Sequence, residues 1–208
     1  LVEEAPLQGG AVVNLLGNHE LFNIRGDLRY VSDGDFEAFG GAQQREMAWS
    51  RDGWLGQKVR GFRATHVVGG VLFVHAGLLP RFLEGGRRLS DINADMAAAL
   101  TQDGRPPEAA LEDLLGDEGP VWTRVYAAKR EQKAICDAAK RALQLAGAFR
   151  MVVGHTIQET RRGEFRVRPV CEGRVVLADT AISRAYGGAL SYLEHDGLGG
   201  AVAVYPSS

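Results

Sequence analysis

The stretch AVVNLLGNHE, residues 11–20, decides the predicted fold. Five of its first six residues are Ala, Val or Leu, a pattern typical of a buried strand. Gly17 follows, and then three polar side chains come in a row, Asn18, His19 and Glu20. Side chains of these types bind metals and move protons. An apolar strand that runs directly into them predicts an α/β protein with a site at the carboxyl end of the strand.

Two further apolar runs end in the same way. VLFVHAGL leads to His75, and MVVGHT leads to His155 after a glycine. In α/β folds the carboxyl ends of strands form the rim where ligands bind, so we expect Asn18, His75 and His155 to converge. Imidazole nitrogen and amide oxygen suit Zn, Fe or Mn, and the lack of a thiolate argues against a zinc finger.

The composition excludes several classes of function. Of 208 residues, 45% are hydrophobic and 24% are charged, as in ordinary globular proteins. The net charge of -2 gives no electrostatic reason to expect nucleic acid or an anionic membrane as a partner. Apolar runs are too short to span a bilayer. We therefore expect no nucleic-acid partner, no membrane association and a cytoplasmic location.

The chain contains two cysteines, Cys136 and Cys171. A single disulfide between them is possible, but reduced thiols are the favoured interpretation, because nothing in the sequence suggests a disulfide framework.

The distribution of residue types predicts one α/β domain over residues 1–208 with a helical insertion at about 91–149. Strand-like runs occupy 11–16, 71–74, 150–153, 164–170, 174–178 and 200–205. The insertion is rich in helix-forming Ala, Leu, Glu and Lys, with plausible helix starts at Asp91 and at Pro106-Pro107. Residues 31–61 are polar and glycine-containing, and they predict irregular structure.

The three motifs also carry a family resemblance. GNHE (17–20), HAGL (75–78) and GHT (154–156) resemble, in order and spacing, the later metal-binding motifs of the calcineurin-like metallophosphoesterases, which include the PPP phosphoprotein phosphatases. GNHELFNIRGDLRYV is similar to the Shewanella-like protein phosphatases, as are GPVWTR (119–124) and DTAISRAYGGALSYLE (179–194). The resemblance implies two packed β-sheets flanked by helices and a phosphoprotein substrate carrying phosphoserine, phosphothreonine or phosphotyrosine.

The resemblance also implies a role for individual residues. Asn18 would bind the second of two divalent metal ions (Mn, Fe or Zn) and touch the phosphate, with His75 and His155 as further ligands of that ion. His19 would be the general acid, and Arg124 of GPVWTR is the candidate phosphate-binding arginine. In such a site, a metal-activated water attacks phosphorus in line. The neighbouring Glu20 is expected to point away from His19, in extended backbone.

The chain departs from the family pattern in one major respect. The earlier motifs GDxHG and GDxxDRG, which would supply the first metal site and the bridging aspartate, do not occur. The chain begins with Leu1, so we expect it to start inside a longer protein, where a targeting segment would not be visible. We expect this chain alone to hold at most one metal ion, to show no appreciable turnover and to expose an apolar sheet edge.

Three functions remain open from the sequence. The first is an active phosphoprotein phosphatase whose initial part is absent from this chain. The second is a catalytically inactive binding module that keeps the fold. The third is a dinucleoside-tetraphosphate hydrolase of the same superfamily, which also carries a motif of the HAG type.

Overall fold

The centre of the molecule is a mixed five-stranded sheet. The computed structural model describes residues 1–101, 109–128 and 132–206. Within these ranges the strand order of the sheet is β1-β2-β3-β5-β4. The strands are β1 (Thr65–Val68), β2 (Val71–Val74), β3 (Arg150–Val153), β4 (Arg168–Val170) and β5 (Val175–Leu177).

The three middle strands run parallel, and this places their carboxyl ends at one edge. β2 pairs with β3 and β3 pairs with β5, with Leu72 opposite Met151 and Val152 opposite Val176. The outer strands β1 and β4 are antiparallel to their neighbours. Leu72 and Met151 are fully buried, as expected for parallel strands covered on both faces.

A second, smaller sheet consists of β6 (Tyr192–His195) and β7 (Ala201–Val204), which pair antiparallel. Hydrogen bonds connect this sheet and its surroundings to β3 and to the residue before β4. The Arg150 guanidinium donates to the Gly199 carbonyl at 2.8 Å, and the Val167 N–H donates to the Tyr205 hydroxyl at 2.7 Å. Two sheets with flanking helices confirm the predicted fold class.

The helical character predicted for about 91–149 is confirmed for the described residues. Three helices lie there, α5 (Leu89–Thr101), α6 (Ala109–Leu115) and α7 (Lys133–Ala146). α5 buries Ile92, Met96 and Leu100, which are spaced four residues apart on one helix face. The helix start predicted at Pro106-Pro107 lies outside the described residues.

The prediction of irregular structure over residues 31–61 is wrong. Three short helices fill this region, α2 (Asp33–Ala38), α3 (Ala42–Trp49) and α4 (Trp54–Arg60). The Ser32 hydroxyl caps α2 by accepting from the Asp35 N–H. α4 packs directly on the end of α3, since a Cβ added to Gly56 would lie 1.9 Å from the Ser50 carbonyl oxygen. Tertiary contacts of this kind leave no periodic signal in the sequence.

The strand predicted at residues 11–16 is also wrong. Only Leu15 is bridged, in parallel, to Arg63, and the Leu16 N–H donates to the Arg63 carbonyl at 2.9 Å. Val12 and Val13 stay 39% and 41% exposed. A single bridge is too short a pairing to form a strand, so the apolar pattern alone was insufficient to predict one. Helix α1 (Asn18–Ile24) begins directly after Gly17.

The two cysteines form a disulfide, which corrects the prediction of reduced thiols. Cys136 lies in α7, and Cys171 follows β4, with their Cα atoms 5.1 Å apart. The bond therefore ties the last helix of the insertion to the central sheet. The sequence separation of 35 residues gave no indication of this proximity.

In the part of the chain that the structure describes, no helix is both long enough and apolar enough to cross a membrane.

Candidate metal and phosphate site

The parallel strands bring two of the predicted histidines side by side. His75 directly follows β2, and His155 follows β3 after Gly154. The Gly154 N–H donates to the His75 carbonyl at 2.8 Å, so the pairing of the two strands continues to the histidines. Their ring centroids are 5.0 Å apart. The candidate site therefore lies at the carboxyl ends of β2 and β3.

Asn18 reaches the same place from the first turn of α1. The Gly17 N–H donates to the Glu20 carboxylate at 2.9 Å, which closes this turn. The expectation that Glu20 lies in extended backbone is therefore wrong, because the helix starts immediately after Gly17. A Cβ at Gly17 would lie 3.0 Å from the His75 ring and 2.7 Å from Glu20 Oε2, so this position has no room for a side chain.

Three potential ligand atoms converge. His75 Nε2 lies 2.8 Å from Asn18 Oδ1 and 3.2 Å from His155 Nδ1, and His155 Nδ1 lies 3.2 Å from Asn18 Oδ1. Ligands about 2.0–2.2 Å from one metal ion have donor atoms roughly 3–3.5 Å apart, so this donor set fits a single divalent cation. Within the described ranges, no group of three or more His, Cys, Asp or Glu side chains is placed so that it could hold a metal ion. The cluster at this site contains only two such side chains, and its third donor is the amide oxygen of Asn18.

The electrostatic surroundings keep both imidazoles neutral at pH 7. Burial lowers the pKa of His75 to about 4, with smaller contributions from His155 and His19. Burial likewise lowers the pKa of His155 to about 4, and the positive charge of Arg124 adds to the effect. A neutral imidazole offers a free lone pair, which is the form that binds a metal.

His155 is held in an unusual backbone conformation. Its φ is +64°, in the left-handed region that residues other than glycine rarely occupy. Its Nε2 atom is buried and has no hydrogen-bond partner among the described residues. Such strain is typical of functional sites, where the surrounding structure fixes the side chain.

His19 is exposed beside this cluster. Its ring stacks on Tyr30 with centroids 5.0 Å apart and planes inclined by 20°. Its carbonyl accepts a hydrogen bond from Asn23 Nδ2 at 2.8 Å. The imidazole is thus oriented by an aromatic neighbour and stays accessible to a ligand.

A cavity of about 590 Å³ collects all five residues predicted from the sequence. Arg124 lies in its wall together with the converging donors and His19. Trp122 supports the wall through an edge-on contact with His155, with centroids 5.9 Å apart. Other lining residues are Tyr30, Thr156, Ile157, Asp179, Ala181, Ile182, Ser183 and Tyr186.

Asp179 was not singled out from the sequence, although a usable signal was present. It follows β5 after one alanine, just as His155 follows β3 after one glycine. Its carboxylate accepts from the Ala181 N–H at 2.9 Å, and its negative charge favours the protonated form of His155. The strand-end rule that found the histidines therefore extends to Asp179. Tyr30 and Tyr186 carried no comparable signal.

The fold and the site together define a calcineurin-like phosphoesterase architecture. No family model matches the chain. The chain is 33% identical over 193 residues to an uncharacterised protein of Schizosaccharomyces pombe and 27% identical over 230 residues to Shewanella-like protein phosphatase 2 of Arabidopsis thaliana. These matches cover 90% and 88% of the chain, which spans only 56% of each relative. A symmetrical bis(5'-nucleosyl)-tetraphosphatase of Aromatoleum aromaticum is 31% identical over 137 residues, 64% of the chain and 46% of that protein.

Solved structures agree with the sequence matches. The cold-active protein-tyrosine phosphatase of a psychrophilic Shewanella species superposes with a TM-score of 0.77 at 26% identity, covering 98% of this chain and 61% of that chain. Together these matches place the chain in the Shewanella-like branch of the PPP phosphoprotein phosphatase family.

Proposed function

We propose that the protein to which this chain belongs is a metal-dependent phosphoprotein phosphatase that hydrolyses phosphate monoesters with a metal-activated water. The observation that carries the proposal is the convergence of Asn18, His75 and His155 within 3.2 Å of one another, beside an exposed His19. No nucleophilic serine or cysteine is needed for such a reaction, since water is the attacking group.

Each residue has a role that fits its position. Asn18 Oδ1, His75 Nε2 and His155 Nδ1 would hold one divalent cation. When bound, the cation supplies the Lewis acidity that activates water and neutralises phosphoryl charge. The Arg124 guanidinium is planar and can donate to two phosphate oxygens at once. His19 holds the proton that the leaving oxygen takes up.

Phosphotyrosine is the proposed substrate class. The cavity is walled by aromatic and aliphatic side chains of Tyr30, Trp122, Ile157, Ile182 and Tyr186. A phenyl ring between phosphate and peptide packs on such surfaces, whereas the short side chains of phosphoserine and phosphothreonine make little contact. The Shewanella structure described above is named as a protein-tyrosine phosphatase.

The test uses the protein encoded by the complete reading frame. Three peptides that differ only in phosphotyrosine, phosphoserine or phosphothreonine are assayed for phosphate release, before and after removal of metal by a chelator and re-addition of manganese. We expect metal-restored turnover that is fastest for phosphotyrosine. Turnover that is insensitive to the chelator would contradict the proposal.

A dinucleoside-tetraphosphate hydrolase is the second candidate, favoured by the match to the Aromatoleum protein. Diadenosine tetraphosphate offered in the same assay separates the two functions. Faster hydrolysis of the dinucleotide than of any phosphopeptide would favour this candidate. Tight phosphopeptide binding without hydrolysis would favour the inactive binding module.

The cofactor proposal is two divalent ions in the complete protein, Mn, Fe or Zn, one of them held by the residues above. A cytoplasmic location stays a prediction, and the Cys136–Cys171 disulfide weighs against it, because disulfides persist mainly in oxidising compartments. Fractionation of cells followed by thiol labelling of the protein tests both points.

A further inference from the structure

A second cavity, of about 600 Å³, lies at the other end of helix α1. Four arginines line it, and Glu46 is the only carboxylate among its described lining residues. The lining comes from the end of α1 and the loop after it, from Phe36, from α3 and the loop after it, and from the end of α4. The charged and polar members are Asn23, Arg25, Arg45, Glu46, Ser50, Arg51 and Arg60.

We propose that this cavity binds a phosphoryl group, as a second oxyanion pocket distinct from the phosphatase site. The proposal does not depend on the proposed phosphatase activity. It follows from the arrangement of the arginines and from the aromatic and aliphatic walls around them.

Arg25 is the residue most available to a ligand. It is solvent-accessible, and its side chain has no hydrogen-bond or ion-pair partner among the described residues. Partial burial lowers the pKa of its guanidinium without providing a compensating carboxylate. A guanidinium in this state gains from a phosphoryl group, which can accept two parallel N–H bonds.

Arg45 forms the fixed floor of the cavity. It is 4% exposed, and its guanidinium lies over the rings of Phe36 and Trp49 at 5.5 and 5.2 Å from their centroids. Nε donates to Asp35 at 2.5 Å and Nη2 donates to Asn23 at 2.6 Å. These bonds use two of the five guanidinium N–H groups. The geometry of the group is therefore set before a ligand arrives, which lowers the entropic cost of binding.

Arg60 adds a third cation, and its side chain is held in place by hydrogen bonds, as that of Arg45 is. Its Nε donates to the Leu100 carbonyl at 3.0 Å, and its Nη1 lies 3.4 Å from the Trp49 carbonyl and 3.3 Å from that of Ser50. These backbone acceptors position the side chain without cancelling its charge. Asp35 offsets the charge of Arg45, whereas neither Arg25 nor Arg60 has a carboxylate partner among the described residues, so the cavity keeps more positive charge than Glu46 neutralises.

The pocket is connected to the phosphatase site through one side chain. Asn23 accepts from Arg45 through Oδ1 and donates to the His19 carbonyl through Nδ2 at 2.8 Å. His19 lies in the first turn of α1 and Arg25 directly follows the last residue of that helix, six positions further on, which corresponds to a rise of about 9 Å. The two pockets are thus close enough for one doubly phosphorylated substrate to reach both, and a free phosphate-bearing solute is the other possible source of the group.

The experiment uses the indole N–H resonances of the three tryptophans, Trp49, Trp54 and Trp122. Trp49 lines the proposed pocket, Trp122 lines the phosphatase site, and Trp54 lines neither. Inorganic phosphate is titrated into ¹⁵N-labelled protein, and single Trp→Phe variants assign the signals. We expect the Trp49 and Trp122 resonances to shift with different midpoints, and the Trp54 resonance to stay in place.

Two variants with opposite expected effects make the test specific. Arg25→Gln should raise the phosphate midpoint at Trp49 by about tenfold or more, because it removes a charged hydrogen bond, and should leave the midpoint at Trp122 unchanged. Glu46→Gln should lower the midpoint at Trp49, because it removes the opposing charge. Arg88→Gln, an exposed arginine at the start of α5, is the charge-matched control and should change neither midpoint.

The outcomes separate the possibilities. A Trp49 signal that does not respond to phosphate, or that responds equally in the Arg25 and Arg88 variants, would overturn the proposal. In a second arm, peptides carrying one or two phosphoryl groups are compared. If the doubly phosphorylated peptide binds more tightly and Arg25→Gln removes this advantage, the pocket belongs to the substrate. If both peptides bind equally and the response to inorganic phosphate is intact, the pocket binds a free solute.

Discussion

Adjacent residues at the start of α1 are assigned different chemical tasks. Asn18 is 6% exposed and points into the cluster of ligand atoms, whereas His19 is exposed and stacks on Tyr30. In the complete protein we expect His19→Ala to retain its metal and to lose about 10²–10⁴-fold in turnover, the usual contribution of a general acid. Asn18→Ala should reduce both metal occupancy and rate. Metal analysis and phosphopeptide kinetics on the same preparations measure the two effects.

A control substrate sharpens the assignment of His19. An aryl phosphate with a very good leaving group needs little protonation, so it should be hydrolysed by His19→Ala at a rate closer to that of the wild type. Equal loss of metal in the Asn18 and His19 variants would show that the role of acid is wrongly assigned.

Gly17 is a second position where one atom matters. A methyl group there would lie 3.0 Å from the His75 ring and 2.7 Å from Glu20 Oε2. We expect Gly17→Ala to displace the ring, to weaken metal binding and to lower the free energy of unfolding by about 1–3 kcal/mol, as in other overpacked sites. Gly10→Ala is the matched control, since its Cβ would be no closer than 3.5 Å to any atom. Urea denaturation and metal titration of both variants provide the comparison, and identical behaviour of the two would refute the steric explanation.

At the scale of elements, the disulfide between α7 and the end of β4 can be tested directly. It closes a loop with a sequence separation of 35 residues, for which the chain-entropy estimate is a stabilisation of about 3–4 kcal/mol. Cys136→Ser and Cys171→Ser should each lower the free energy of unfolding by that order. Reduction of the wild type should have the same effect, and the double variant should be insensitive to reductant. Free thiols in protein purified without reductant would contradict the bond.

The elements also show which parts of the structure the sequence could predict. The strand-end rule located His75 and His155 because parallel strands β2 and β3 bring their carboxyl ends together whatever surrounds them. The same rule, applied to β5, would have located Asp179. The rule says nothing about the backbone after the strand, so the helical start at Asn18 was missed.

Other elements could not be predicted from the sequence, for a physical reason. Helices α2, α3 and α4 have six to eight residues each, too short to be stable on their own. Contacts such as that of Gly56 with the end of α3 hold them in place. The apolar run at residues 11–16 led to the opposite error, a predicted strand that does not form. A strand also needs a hydrogen-bonded partner along its length, and the pattern of apolar residues does not show whether such a partner is present. The arginine-lined cavity at the end of α1 depends entirely on this packing of short helices.

At the scale of the whole molecule, the charge of the site limits what the 208-residue chain can do alone. Asn18, His75 and His155 are all neutral ligands, so they do not balance the charge of a divalent cation. The Asp179 carboxylate lines the same cavity and brings one negative charge near His155, but it is not among the three converging donor atoms. We therefore expect this chain to bind manganese weakly, at one position at most, and to show no appreciable turnover of phosphotyrosine or phosphoserine peptides.

Equilibrium dialysis with metal analysis measures the stoichiometry, and the same peptides used for the complete protein measure turnover. His155→Ala serves as the control, since it should abolish the residual metal binding by removing one of three ligands. Because Arg25 and Arg45 line a different cavity from the three metal ligands, the phosphate response of Trp49 should persist in that variant. Two tightly bound ions and rapid turnover in the wild-type chain would mean that other residues of this chain complete the site and supply the negative charge that the three neutral ligands lack.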